Sequence, residues 1–158
     1  MLVEWLQALH EWPVAAFFRR SVYAYPLLNA GHIFALTLLI GAILPADLKV
    51  LGFFPRIAAG PFLRSMTAIS ATGLALAVLT GFLLFSVQPL EYARNPAFLV
   101  KLSLIALGTA NALVIRFSSA WRDAWTKESI SPALRAGALL SLTVWVAALV
   151  AGRWIAFV

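Results

Sequence analysis

The sequence predicts an all-α integral membrane protein, a four-helix antiparallel bundle with a short interfacial helix at its amino end. Three observations predict it. The chain is 63% hydrophobic and only 11% charged, its mean hydropathy is +0.93, and its apolar residues fall into four long runs divided by proline, glycine and charge. A soluble domain is usually about 45–50% apolar. A helix rising ~1.5 Å per residue needs ~20 residues to cross a ~30 Å hydrocarbon core. The 158 residues therefore hold four such spans and short loops as a single membrane domain, residues 1–158.

Residues 1–19 open with MLVEWLQALHEW, in which Val3, Leu6 and Leu9, with Trp5 and Trp12, recur at helical spacing. The run is too short to span, and Glu4 and Glu11 stand where a signal peptide carries basic residues, so it reads as a retained interfacial helix. The first span covers about residues 21–46, opened by YAYP and closed by PADLK, with Pro45 and Asp47 marking the exit. Gly52, Pro55, Gly60 and Pro61 break the loop that follows. The second span, about residues 62–87, carries Gly73, Ala77 and Gly81 at every fourth position. Such a ridge suits close helix approach, within the bundle, against another copy in a homo-oligomer, or in a larger membrane complex, although small residues also occur freely in membrane helices. The third span, residues 96–117, begins with Pro96 as its first helical residue, and the fourth, about residues 132–152, begins with Ser131 as N-cap and Pro132 behind it.

The net charge of +6 is no nucleic-acid signal, because the basic residues sit at the ends of the apolar runs. Their partner is the lipid bilayer. Lys49, Arg56, Arg64, Arg116, Arg122, Lys127 and Arg135 fall on one side, against Arg19, Arg20, Arg94, Lys101 and Arg153 on the other. Seven against five makes the first side cytoplasmic, with both termini periplasmic across a bacterial inner membrane. Tyr23, Tyr25, Tyr92, Trp121, Trp125 and Trp154 fall near the boundaries, as an aromatic belt would.

The chain has no cysteine, which excludes disulfides, thiolate metal sites and iron–sulfur clusters. No catalytic triad, phosphate loop or zinc motif is present, so hydrolytic chemistry has no support. His32 stands inside the first span, six residues beyond Pro26 and so roughly 9 Å below the outer boundary. Asn29 and Tyr25 precede it at one-turn intervals as a polar stripe. Ionisable groups inside a membrane are costly and mark function by default. His32 fits an axial haem ligand, a proton relay or one ligand of a transient copper site. It equally fits a neutral imidazole bridging to Asn111, Thr80 or a carbonyl between helices. Lys101, five residues into the third span, either snorkels to the interface or faces the bundle near His32, where it pairs with a propionate, a quinone oxygen or an anionic substrate. Asn111 follows on the same face. Arg19, Arg20 and Arg94 supply further cations for acidic groups on a haem b, and His10 is the one remaining imidazole for metal or haem, unless it is simply solvated beside Glu11. Asp47, Lys49, Arg56 and Arg64 read as an ion-pair cluster that anchors a loop.

The stretches WLQAL at Trp5–Leu9, YPLLNAGHIFALTLLIGAILPADLKVLG at Tyr25–Gly52, LTGFLLF at Leu79–Phe85 and NPAFLVKLSLIALGTANAL at Asn95–Leu113 resemble a family of small bacterial four-helix membrane proteins of unknown function. More distantly, His32 with Gly41, and Lys101 within LVKLSLIALGTANALVIR, are similar to the copper-resistance D-type membrane domain and to HemJ-type haem-binding proteins. That resemblance implies haem or copper handling for the wider group. The chain departs from the closer family at Asn29, where an acidic residue often stands, and after Leu113, where a histidine often follows, which implies a reduced metal site or none. Three functions are thus expected: a haem- or quinone-type redox site around His32, a transport or metal-handling path, or a non-catalytic assembly subunit.

Overall fold

The computed structural model describes residues 1–126 and 129–157; the predicted loop cation Lys127 and the side chain of Trp125 lie outside what is described. Helices α1 (Leu2–Glu11) and α2 (Pro13–Arg20) precede the long α3 (Ala24–Leu51) and α4 (Ala59–Val87). A short α5 (Pro89–Arg94) leads into α6 (Pro96–Phe117), and α7 (Ser119–Thr126) is followed by α8 (Pro132–Trp154), which ends in a 3-10 turn over Ile155–Phe157. Among the described residues there is no strand.

Local chemistry sets these bounds. Asn95 Oδ1 accepts the Phe98 N–H at 3.1 Å with Pro96 behind it, and Ser131 Oγ accepts the Leu134 N–H at 3.2 Å with Pro132 behind it. Each cap satisfies an orphan donor, and each proline removes one. The amino-terminal segment is two helices rather than one, because Pro13 opens a new helix where Trp12 leaves the helical backbone.

The first long helix does not stop at Pro45 and Asp47 as its sequence suggests. It continues to Leu51 and ends on Gly52, whose φ of 103° is left-handed. Gly52 N–H donates to Lys49 O at 3.1 Å and Phe53 N–H to Leu48 O at 3.0 Å, the paired bonds of a Schellman cap. Proline inside the helix removes one backbone bond, a loss that membrane helices absorb through their neighbours. Asp47 is consequently helical.

α3 packs along α4 and against α8, and α8 packs along α6, so the four long helices run in the spatial order α4, α3, α8, α6. Among the described residues no Cα of α4 comes within 8 Å of one in α6. The bundle is therefore cleft on that side. One end, called proximal here, carries α1, α2, α5 and Phe157; the distal end carries the 52–58 segment and α7, packed round Val50, Leu63, Trp121 and Leu134.

All four long helices are apolar enough to cross a membrane, and in the most apolar stretch of α6 only 6% of residues are buried inside the protein. Ile33, Phe34, Val78, Leu79, Val114 and Val146 point outward. So much contiguous exposed hydrocarbon is unsupportable in water, where patches rarely exceed a few hundred Å². The chain is a multi-pass membrane protein whose outer surface meets lipid.

The Gly73, Ala77 and Gly81 ridge lies within the bundle. Gly73 abuts the backbone of Leu39, and Gly81 faces the ring of His32. Gly73 and Ala77 are buried by α3, so covering this ridge requires no second copy.

Candidate functional site

The long helices carry two polar centres. In the proximal half, His32 Nδ1 lies 2.8 Å from Thr80 Oγ1. The Thr80 hydroxyl gives its proton to Leu76 O at 2.6 Å, so towards the ring it can only accept. His32 therefore donates from Nδ1 and keeps a bare lone pair on Nε2. Gly81 makes this fit: a Cβ there would stand 3.2 Å from His32 Cε1. Lys101 is within electrostatic range of the imidazole. Its stem rests on α8, where a Cβ on Gly152 would lie 3.4 Å from both Cε and Nζ. Among the described residues the ammonium has no hydrogen-bond partner.

The distal half holds a cavity of about 330 Å³ between α4 and α6, floored by α3 and α8. Asp47, Thr67, Ser70, Asn111, Ser141 and Trp145 reach it. Asp47 is the only acidic residue in the four long helices. It lies beside Ser141, which is itself buried, while its Oδ2 is buried with no partner. Trp145 Nε1, one helical turn beyond Ser141, is likewise buried and unpartnered. Its indole is seated on Gly108 of α6, where a Cβ would come within 2.9 Å of the ring. At the mouth, Ala71 of α4 and Ala112 of α6 are exposed on the outer surface. The cavity thus opens sideways, towards lipid, rather than towards either end of the bundle.

This placement corrects the loop-anchor expectation for Asp47. Lys49 donates instead to Phe54 O at 2.7 Å, and Arg56 is exposed. Because α3 extends through Leu51, the carboxyl is turned inward against α8. The one signal for it in the sequence was a lone acid close behind an apolar run.

Of the residues singled out in the sequence, His32 and Lys101 lie within electrostatic range of each other, on helices α3 and α6 between which, among the described residues, no Cα atoms come within 8 Å. Asn111 belongs elsewhere: its Nδ2 donates to Gly137 O at 3.0 Å. It lies ten residues beyond Lys101 on α6, about 15 Å along the axis. Asn29 is exposed on the outer surface rather than in a stripe with His32. Tyr25 lies near Tyr92, whose phenol is pushed up mainly by burial and further by Tyr25 and Glu91.

At the proximal end, Arg19 donates to His10 O at 2.6 Å and to Val87 O at 3.4 Å, and lies 3.3 Å from His10 Nδ1. Helix α1 packs on α2, α4 and α5 but not on α3, so His10 is not set opposite His32. Arg20 borders a surface hollow with Pro13 and Phe17, Arg94 is exposed, and the Arg153 guanidinium sits 4.8 Å above the Phe157 ring. Among the described residues no three His, Cys, Asp or Glu side chains group to hold a metal ion.

Comparison of the chain with protein-family models, with curated proteins and with solved structures finds no match.

Proposed function

We propose that the chain is a multi-pass protein of the bacterial inner membrane that takes a small ligand sideways from the bilayer into the distal cavity, the transport reading of its polar residues. One observation carries this: Asp47, the lone acid of the four long helices, stands in the wall of a 330 Å³ cavity, with one of its two oxygens closed off and unpartnered. A buried polar atom left unsatisfied costs about 1–3 kcal/mol, and a pocket with apolar walls and a few convergent polar groups is the usual form of a ligand site. The excess of Lys and Arg at the distal end supports a cytoplasmic distal face and periplasmic termini. Native mass spectrometry tests the reading. A small-molecule mass should accompany the wild-type chain from nanodiscs and be missing from Ala112→Trp, which plugs the mouth; equal masses on both would contradict it.

A second reading rests on the bare Nε2 of His32. Metal-bound histidines commonly fix their other ring nitrogen by a hydrogen bond, the service Thr80 performs here. A haem with one protein ligand, or a quinone, would take His32 as ligand or hydrogen-bond partner and Lys101, Arg20 and Arg94 for its acidic groups; such a group when bound supplies electron transfer. Here His32 and Thr80 fix the ring, and Lys101 supplies positive charge beside it. A haem absorption band in the purified protein, lost in His32→Ala, would support this reading, and a colourless protein from haem-replete cells would exclude its haem form.

A further inference from the structure

The walls of the distal cavity specify more than a ligand of suitable size. Thr67 Oγ1 gives its proton to Leu63 O at 2.7 Å, and Ser70 Oγ gives its proton to Thr67 O at 3.0 Å. Each hydroxyl has spent its donor on the backbone, leaving only lone pairs. The Asp47 carboxyl, also in the wall, adds a further acceptor. Asn111 commits an amide hydrogen to Gly137. Three acceptor groups thus line the cavity, while Nε1 of Trp145 is closed off within the protein and Trp121, also in the wall, has an interaction of its own. Arg116 reaches the rim, is exposed, and has an interaction of its own. Most of the remaining wall is aliphatic, as at Leu39, Ile43 and Leu74.

We infer that the cavity takes an amphipathic primary amine, its protonated nitrogen on Asp47 and its apolar body against the aliphatic wall, entering from the bilayer between α4 and α6. This rests on reading the cavity as a ligand site. An ammonium supplies three donors and no acceptor, which matches Asp47, Thr67 and Ser70. A carboxylate or phosphate would bring like charge to Asp47, and a hydrocarbon would leave the carboxyl in the cavity wall without a partner. An amine arriving neutral takes the carboxyl proton; one arriving protonated meets the carboxylate. Either route ends in the same ion pair, with the proton on nitrogen and the charge on Asp47. The exposed alanines at the mouth leave the entrance unobstructed.

The test is retention of radiolabelled dodecylamine on nanodiscs carrying the full chain, measured over empty nanodiscs of the same lipid. The expected result is saturable retention, unaffected by excess dodecanol or dodecanoate, and weakened about ten-fold or more in Asp47→Asn, as loss of a charge-assisted hydrogen bond requires. Competition on the wild-type chain keeps the test decisive should that variant misfold. If dodecanol competes as well as the amine, and Ala112→Trp abolishes retention of both, the amine preference is overturned while the cavity remains a ligand site. If the wild-type chain retains neither probe, both readings fall.

Discussion

A Cβ built on Gly73 would fall 2.5 Å from the backbone nitrogen of Leu39 and 2.8 Å from its Cα. The α3 and α4 backbones touch at this level, so a methyl group has nowhere to go without moving a helix. Gly73→Ala should destabilise the bundle by about 1–3 kcal/mol, the usual cost of overpacking, and lower the midpoint of thermal unfolding in detergent. Gly31 and Gly41, on the same helix as Leu39, have nothing within 4 Å. Replacing either with alanine should leave the midpoint unchanged or raise it, since alanine favours a helix over glycine by about 0.5–1 kcal/mol.

Thr80→Val removes the acceptor for His32 Nδ1–H and leaves the imidazole to the Ala77 carbonyl beside it. Hydrogen bonds between membrane helices average about 0.6 kcal/mol and reach about 1.7, so a small loss of stability is expected. The sharper readout is nitrogen NMR of histidine-labelled protein. His32 should show a protonated Nδ1 and a bare Nε2; the opposite tautomer would contradict the hydrogen-bond assignment.

Asn111 and Asn29 make a matched pair, one bonded to Gly137 and the other exposed. Asn111→Ala should lower the unfolding midpoint by an amount equivalent to about 0.6–1.7 kcal/mol, while Asn29→Ala should not. A larger effect at Asn29 would mean that its outer face is covered by something other than lipid.

The absence of cysteine makes topology simple to measure. Gln7→Cys should react with a membrane-impermeant maleimide in intact spheroplasts, and Ser129→Cys only after permeabilisation. The reverse pattern would place the proximal end in the cytoplasm.

Apolar content and helix punctuation made the four-helix architecture legible. Asn95 with Pro96 and Ser131 with Pro132 mark helix starts because the caps and the missing N–H groups are local chemistry. Thr80 could be named as a partner for His32, although Asn111 and a backbone carbonyl were equally open. The distal cavity was not legible. Pro45 and Asp47 resemble an exit signal until the Schellman cap at Gly52 shows the helix continuing past them. Helix α3 is apolar nearly all round, so its sequence gives no face to orient Asp47. The cleft also depends on which helices pair: α6 lies on α8 and stays away from α4, a tertiary choice made by Gly108 against Trp145 and by Gly73 against Leu39.

Labelling with dicyclohexylcarbodiimide, an apolar reagent that reaches carboxyl groups from within the bilayer, tests most directly whether Asp47 lines a cavity open to lipid. The predicted result is an adduct on the Asp47 peptide of the wild-type chain, absent in Asp47→Asn and reduced in Ala112→Trp, where the mouth between α4 and α6 is plugged. An Asp47 that stays unmodified in wild-type membranes, or is modified equally with the mouth plugged, would contradict a laterally open carboxyl site.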